Sequence, residues 1–354
     1  MFHKILSLKW RPNTFSEVVG QDHIMETLKN AFKKDLIAQA YLFTGPRGVG
    51  KTTTARILAK SLNCKDKPGV GCIDCNSCQE ISATRSLDVL EIDGASNRGI
   101  DEIRNIRDLI KFPPMNSDYK IIIIDEVHML TTQAFNALLR TLEEPPPHGK
   151  FILATTDIQK VPMTIISRCQ RFDFHRLPSK IITEKMIDIL KNESVIADSE
   201  SLHAISIKST GSMRDALSTL EQVIAFSGEE ITFESTSKVL GLIPLEVYFN
   251  IMNFLKEKDH QLLFNELKKI QSSGTPPSDF LNGLNEHIRN LMIAPLEDEV
   301  QLLEVNKLTK KKYIECGKLW DIRDLLRISE ILDNLASVYL IAAGGSPSID
   351  PKLP

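Results

Sequence analysis

Short runs of β-branched and aromatic residues alternate with helix-spaced segments along the first half of the chain. Tyr41-Leu42-Phe43 is one run and ends at Thr44-Gly45. Val89-Leu90-Glu91-Ile92, Ile121-Ile122-Ile123-Ile124 and Phe151-Ile152-Leu153-Ala154 follow. Between them Thr53–Leu62, Ile100–Ile110 and Gln133–Leu142 carry apolar residues at helical spacing. Continuous apolar runs with intervening helices predict a parallel sheet covered on both faces. Four consecutive isoleucines suit a central strand with no solvent face. After Pro178 strand signals become rare, and Ile182–Leu190, Leu202–Ile207 and Met213–Phe226 read as helices. Gly241 and Pro244 punctuate the next boundary. Beyond it Phe280, Leu284, Ile288 and Leu291, then Leu325, Ile328, Ile331 and Leu335, form stripes that predict a helix-bundle core. The expectation is an α/β domain over residues 1–177, a small helical domain over 178–241, an all-α domain over 242–345 and a tail over 346–354.

A chain of 354 residues, 42% hydrophobic and 25% charged, has room for two or three globular domains. Its 43 basic and 46 acidic residues leave a net charge of −3, which argues against a surface coated in base for non-specific DNA binding. A local basic lining stays compatible with that balance. No apolar run approaches the roughly 20 residues that cross a bilayer, and Lys4 and Lys9 interrupt the N-terminal apolar stretch. The expectation is a cytoplasmic protein with no membrane partner.

Gly45-Pro46-Arg47-Gly48-Val49-Gly50-Lys51-Thr52 matches G-x-x-x-x-G-K-[ST], with a predicted strand before it and a helix after it. Glycines let successive backbone N–H groups turn inward around phosphate, and the following helix aims its positive end at the same anion. Lys51 would reach the β- and γ-phosphates, and Thr52 would present a hydroxyl to Mg²⁺. Val49 and Thr53 complete this nucleotide-binding set. The isoleucine run delivers Asp125-Glu126 at its C-terminal end, the edge where open α/β sheets bind ligands. Asp125 would orient Mg²⁺ or its waters, and Glu126 would polarise the attacking water. His128 reads as structural. Together the two motifs define a P-loop nucleoside triphosphatase.

Four of the six cysteines form C-x7-C-x2-C-x2-C at Cys64, Cys72, Cys75 and Cys78. Pro68, Gly69 and Gly71 help to fold this short segment around an ion. Thiolates suit Zn²⁺ in a closed tetrahedral site, while an iron–sulfur cluster and free thiols are the rivals. Four thiolates leave no open position, so the site reads as structural. Cys169 and Cys316 read as small core residues.

The segment Lys9-Trp10-Arg11-Pro12, with Phe15 and Val18-Val19-Gly20-Gln21, resembles the N-terminal box of AAA+ clamp-loader ATPases. Asp125–Leu130, Phe135–Pro146, Ala154–Asp157, Gln159–Pro162, Ile166-Ser167-Arg168-Cys169 and Gly211–Ser218 continue the likeness. With the cysteine cluster, residues 9–218 resemble the bacterial DNA polymerase III gamma/tau family. The resemblance implies a P-loop AAA+ domain carrying a small zinc module at 64–78, a helical lid and a collar-like helical domain. It implies that Arg11 and Val18–Gln21, Val19 included, line the base pocket. Thr155 would be a sensor near the γ-phosphate, Arg214 the lid arginine in the same subunit, and Arg168 an arginine finger into the neighbouring subunit's site. A guanidinium supplies the charge and bidentate geometry that phosphoryl transfer needs. The implied activity is ATP-driven loading of a sliding clamp on primer–template DNA. The implied partners are delta and delta-prime type subunits and further copies of this chain. Polymerase and nucleotidyltransferase chemistry would belong to the holoenzyme. Ser96, Asn97 and Arg98, before a predicted helix, are candidate DNA-phosphate contacts. The rival readings are another AAA+ DNA motor, such as a branch-migration helicase, and a non-catalytic scaffold subunit.

Overall fold

The isoleucine run forms a strand that shows no surface: Ile121, Ile122, Ile123 and Ile124 are each 0% exposed. The computed structural model describes residues 5–72, 74–272, 275–296 and 307–342, with only the backbone described for 307, 308 and 336–342. The tail expected at 346–354 lies outside the described residues. The chain divides into two units, Met1–Thr236 and Ser237–Pro354.

In the first unit five parallel strands, β1 (Ala40–Thr44), β2 (Val89–Asp93), β3 (Lys120–Asp125), β4 (Gly149–Thr155) and β5 (Gln170–Asp173), form one sheet ordered β2-β3-β4-β1-β5. The helices are α1 (Leu6–Lys9), α2 (Asp22–Lys33), α3 (Lys51–Asn63), α4 (Asn76–Ser82), α5 (Ile100–Ile110), α6 (Thr132–Glu143) and α7 (Met163–Ile166). Alternate strand residues feed separate cores, as a pleated strand requires. Tyr41, Phe43, Ile121, Ile123 and Ile152 pack on one face with Ile57 and Leu58 of α3. Leu42, Ile122, Ile124, Phe151 and Leu153 pack on the other with Ile103 and Ile106 of α5 and Phe135 and Leu138 of α6. Each such side chain contributes about 1.5–3 kcal/mol by leaving water.

The unit continues with α8 (Ser179–Glu193), α9 (Ser199–Lys208) and α10 (Met213–Ser227), joined by a short parallel pair, β6 (Ile196–Ala197) and β7 (Glu230–Ile231). Side chains cap the second and third of these helices: Asp198 accepts from Ser201 N, and Ser212 accepts from Asp215 N. Glu193 of α8 accepts from Lys9 Nζ and Trp10 Nε1, each at 2.7 Å, which ties the N-terminal segment to this helical part. The division between the units falls inside α11 (Phe233–Leu240).

The second unit contains α12 (Leu245–Glu257), α13 (His260–Ser272), α14 (Pro277–Ile293), α15 (Lys307–Gly317) and α16 (Ile322–Ala342). Leu284, Ile288 and Leu291 are buried with Tyr248, Phe249, Met252 and Tyr313, as the α14 stripe predicts. The α16 stripe is only half right. Leu325 is buried and Ile328 packs against the core, but Ile331 and Leu335 are 53% and 52% exposed, and Leu332 is buried in their place. Leu332 follows Leu325 by two nearly whole turns, whereas Ile331 sits about a third of a turn away. Among the described residues no single helix is long and apolar enough to cross a membrane.

His287 is 1% exposed inside this bundle, with Nδ1 2.8 Å from Tyr313 Oη and its ring edge-on to Phe249. Burial pushes its pKa down to about 3, and the nearby Lys312 pushes the same way. The unfolded chain therefore binds a proton below about pH 6.5 that the folded bundle refuses until about pH 3. Stability from this group is fully present above about pH 6.5 and is lost as pH falls through that window. Protection factors of α14 amides, corrected for the intrinsic exchange rate, should fall on acidification through that window, and His287→Gln should flatten that dependence. An unchanged pH dependence in the variant would show that His287 does not contribute to it.

Candidate nucleotide site and cysteine cluster

The phosphate loop occupies the gap between β1 and α3. Gly45 and Gly48 have φ of 140° and 76°. A Cβ on Gly45 would stand 2.3 Å from Phe174 O, and one on Gly48 would stand 2.0 Å from Ser212 Oγ. Neither position has room for a side chain. α3 begins at Lys51, whose buried Nζ donates to Gly45 O at 2.7 Å and Pro46 O at 2.6 Å. Burial lowers the Lys51 pKa, while Glu126 and Asp125 oppose that shift. The ammonium thus lies within the loop, where phosphate oxygens could replace its carbonyl acceptors.

Sheet order brings the remaining groups alongside. Thr44 of β1 is in register with Thr155 of β4, and β3 lies on the other side of β4. Thr52 Oγ1 donates to Asp125 Oδ2 at 2.7 Å, and the Glu126 N–H donates to Asp125 Oδ1 at 3.0 Å. This hydroxyl and carboxylate are the hard oxygen donors that Mg²⁺ prefers, so the residues fit that ion. Glu126 itself has a left-handed backbone, φ 47°. Its Oε2 accepts from Thr156 Oγ1 at 2.8 Å and from Thr156 N at 3.3 Å, and lies 3.3 Å from His128 Nδ1. His128 Nδ1 also lies 3.1 Å from the hydroxyl of buried Thr155, which donates to Asp157 O. A histidine read as structural therefore stands between the sensor candidate and the acidic motif.

A cleft of ≈ 760 Å³ opens over the loop, within the usual range for small-molecule sites. Arg11, Val19, Val49, Thr53 and Arg214 line it together with the loop and the acidic pair. Arg11 Nε donates to Thr53 Oγ1 at 3.1 Å, and burial lowers its pKa, with neighbouring Arg56 adding to the shift. Among the lining residues that the sequence does not announce are Arg56 and Glu91. Arg56 donates from Nε and Nη2 to the two oxygens of Glu91, at 2.6 and 2.7 Å. They lie 35 residues apart on a helix and a strand, and no local pattern joins them.

Arg168 is not among the residues lining the cleft. It donates to Thr164 O and Glu143 Oε1, each at 2.8 Å. Ser96, Asn97 and Arg98 form a turn held by Asp93: Ser96 Oγ donates to Asp93 Oδ2 at 2.7 Å, and Arg98 Nε donates to Ala95 O at 2.8 Å. The N-cap of α5 is Gly99, which offers no side-chain bond.

The cysteine cluster hangs from the far end of α3. Cys64 is the C-cap of that helix, and Cys75 is the N-cap of α4. The sulfurs of Cys64, Cys72, Cys75 and Cys78 all lie within 4.8 Å of one another, with Cys64 and Cys75 4.0 Å apart. Tetrahedral zinc at about 2.3 Å from each sulfur needs S–S separations near about 3.8 Å. Backbone N–H groups of Lys67, Cys75 and Cys78 point at the sulfurs of Cys64, Cys72 and Cys75. Such donors favour thiolate, and the Cys75 N–H holds the Cys72 thiol down to about 7. Burial pushes Cys64 and Cys78 the other way. The donor set fits a zinc ion. Cys169 packs against the core between the sheet and α5 and α6, Cys316 packs against the helical core of the second unit, and both are partly buried.

A family model described as "DNA polymerase III, delta subunit" matches residues 20–178, and one described as "DNA polymerase III clamp loader subunit, ATPase lid domain" matches 181–229. The chain is 44% identical over 275 residues to the DNA polymerase III subunit gamma of Buchnera aphidicola subsp. Schizaphis graminum, covering 77% of this chain and 76% of that protein. The chain belongs to the DNA polymerase III gamma/tau family. It is also 41% identical over 336 residues to the subunit tau of Bacillus subtilis, where the match covers 93% of this chain but 60% of that protein. The chain thus spans about three-fifths of the length of that longer relative. Among solved structures the Thermotoga maritima RuvB Holliday junction branch migration motor matches with a TM-score of 0.51, covering 70% of this chain and 80% of that one. At 16% identity this likeness shows a shared AAA+ fold and lends no weight to the helicase reading.

Two outcomes test the site. Lys51→Ala should abolish productive nucleotide binding, while Glu126→Gln should bind ATP and hydrolyse it slowly. Equal loss of ATP affinity in both, by equilibrium binding, would contradict this division of roles. Elemental analysis should find one zinc per chain, and Cys75→Ser should release it while nucleotide binding survives. Iron in the native protein, or zinc retained by the variant, would overturn the metal assignment.

Proposed function

We propose that the chain is an ATP-hydrolysing subunit of a sliding-clamp loader, working at interfaces between subunits. One observation carries the reading. Lys51, Thr52, Asp125, Glu126 and Arg214 line a single cleft, while Arg168 lies outside it and on the surface. Four of the groups for phosphoryl transfer are thus available in cis with a lid arginine, and the finger is available to another chain. The intact Lys51, Thr52, Asp125 and Glu126 speak against a non-catalytic scaffold.

Lys51 and the loop N–H groups bind the phosphates, and Arg11 and Val19 bound the base end of the cleft. Thr52 and Asp125 would hold Mg²⁺, which when bound would neutralise phosphate charge. Glu126 must turn from Thr156 to accept a hydrogen bond from the attacking water. Thr155, linked to Glu126 through His128, reports on the γ-phosphate. Arg214 contacts the phosphates from the helical part, and Arg168 of the adjacent subunit stabilises transition-state charge. The chain would assemble with delta and delta-prime type subunits and further copies of itself. ATP would favour the state that holds the clamp open, and primer–template DNA would favour hydrolysis and release, each through differential binding. A cytoplasmic location goes with this role.

The trans assignment of Arg168 has a direct test. Assemblies of Lys51→Ala chains should be inactive. Assemblies of Arg168→Ala chains should bind ATP and hydrolyse it about 10³–10⁵-fold more slowly. Mixing the variants before assembly pairs an intact site with an intact finger at some interfaces, so part of the activity should return. No recovery in rings shown to hold both variants as neighbours would rule out action in trans.

A further inference from the structure

Arg168 follows α7, a single turn that provides little support for a long side chain. A guanidinium has five N–H donors in one plane. Here Nη1 donates to Thr164 O and Nη2 to Glu143 Oε1, each at 2.8 Å. The acceptors belong to different elements, α7 and α6, and bind different nitrogens. These two bonds set the plane of the group and, with a longer 3.5 Å bond from Nη1 to Ser167 Oγ, leave two N–H groups for a ligand. Without Glu143 the side chain would be restrained by the Thr164 carbonyl and a 3.5 Å contact to Ser167 Oγ.

Glu143 is itself well held. It is the last residue of α6, whose Phe135, Leu138 and Leu142 are buried. A carboxylate at a helix C-terminus is electrostatically disfavoured, and the guanidinium offsets that charge. The pair is half-exposed, with side-chain exposures of 35% and 50%, so it adds little to stability. Its effect lies in orientation. A flexible arginine that must meet a phosphate on another chain gains rate by arriving in the right rotamer.

We propose that Glu143 is a positioning residue that presets Arg168 for the neighbouring subunit's ATP. The inference rests on the reading of Arg168 as a finger in trans. One carboxylate on one nitrogen need not let go for the remaining donors to meet a phosphate, so the pair persists during hydrolysis.

The test uses assembled loader rings in which Lys51→Ala chains donate the finger and Arg168→Ala chains donate the site. Glu143→Ala is added to one chain type at a time, and kcat and KM for ATP are measured on the recovered activity. On the finger-donating chain it should lower kcat about tenfold, the loss of one charge-assisted hydrogen bond's orientation, with KM unchanged. Glu143→Gln there should restore most of the rate, because the acceptor oxygen remains. On the site-donating chain Glu143→Ala should leave the recovered rate as it was. A recovered rate insensitive to Glu143 on the finger chain, a rate that rises, or an equal loss from either chain would overturn the proposal. No recovery in the parent mixture would instead sink the finger reading itself.

Discussion

Burial of β3 on both faces is the constraint from which the chemistry follows. Its four isoleucines alternate between two cores, so the strand cannot slip by one residue without exchanging both sets of contacts. Register with β4 and the order β3-β4-β1 then set where three strands stop. Asp125, Thr155 and the start of the phosphate loop appear at one edge because the strands carrying them end there. The 2.7 Å bond between Thr52 and Asp125 spans 73 residues of sequence, and it depends on that edge being level.

A second dependence runs along α3. Its N-terminus forms the phosphate loop's helix, and its C-terminus is continued by Cys64, the first residue of the cysteine cluster. Asn63, at the last turn, exchanges two hydrogen bonds with the Tyr119 backbone at 2.9 and 3.0 Å, just before β3. One helix thus joins the nucleotide site, the central strand and the cluster.

Much of this was legible in the sequence because the signals were local. A glycine-rich loop between strand and helix, a strand ending in two acids and four closely spaced cysteines each declare themselves within some fifteen residues. Helix limits were less readable. α3 starts at Lys51, not Thr53, since Lys-Thr-Thr offers no apolar periodicity to announce a first turn. The α16 stripe misled because Ile331 and Leu332 are adjacent and equally apolar, and only the partner helices decide which one faces inward. Arg56 with Glu91, and Thr156 with Glu126, were invisible for a different reason. Each pair exists only once the sheet has formed.

At Glu126 the side chain's contacts and the backbone's own preference diverge. Its left-handed backbone, φ 47° and ψ 46°, costs a residue with a Cβ about 1–2 kcal/mol. The neighbouring turn enforces it: Gly94 donates to Asp125 O, and a Cβ at Gly94 would lie 2.7 Å from Glu126 O. Glycine would sit there without strain and would make the fold firmer while removing the carboxylate. The carboxylate that meets Thr156 and His128 thus stands on a backbone that glycine would fit better, a local cost that the fold carries at the edge of the cleft.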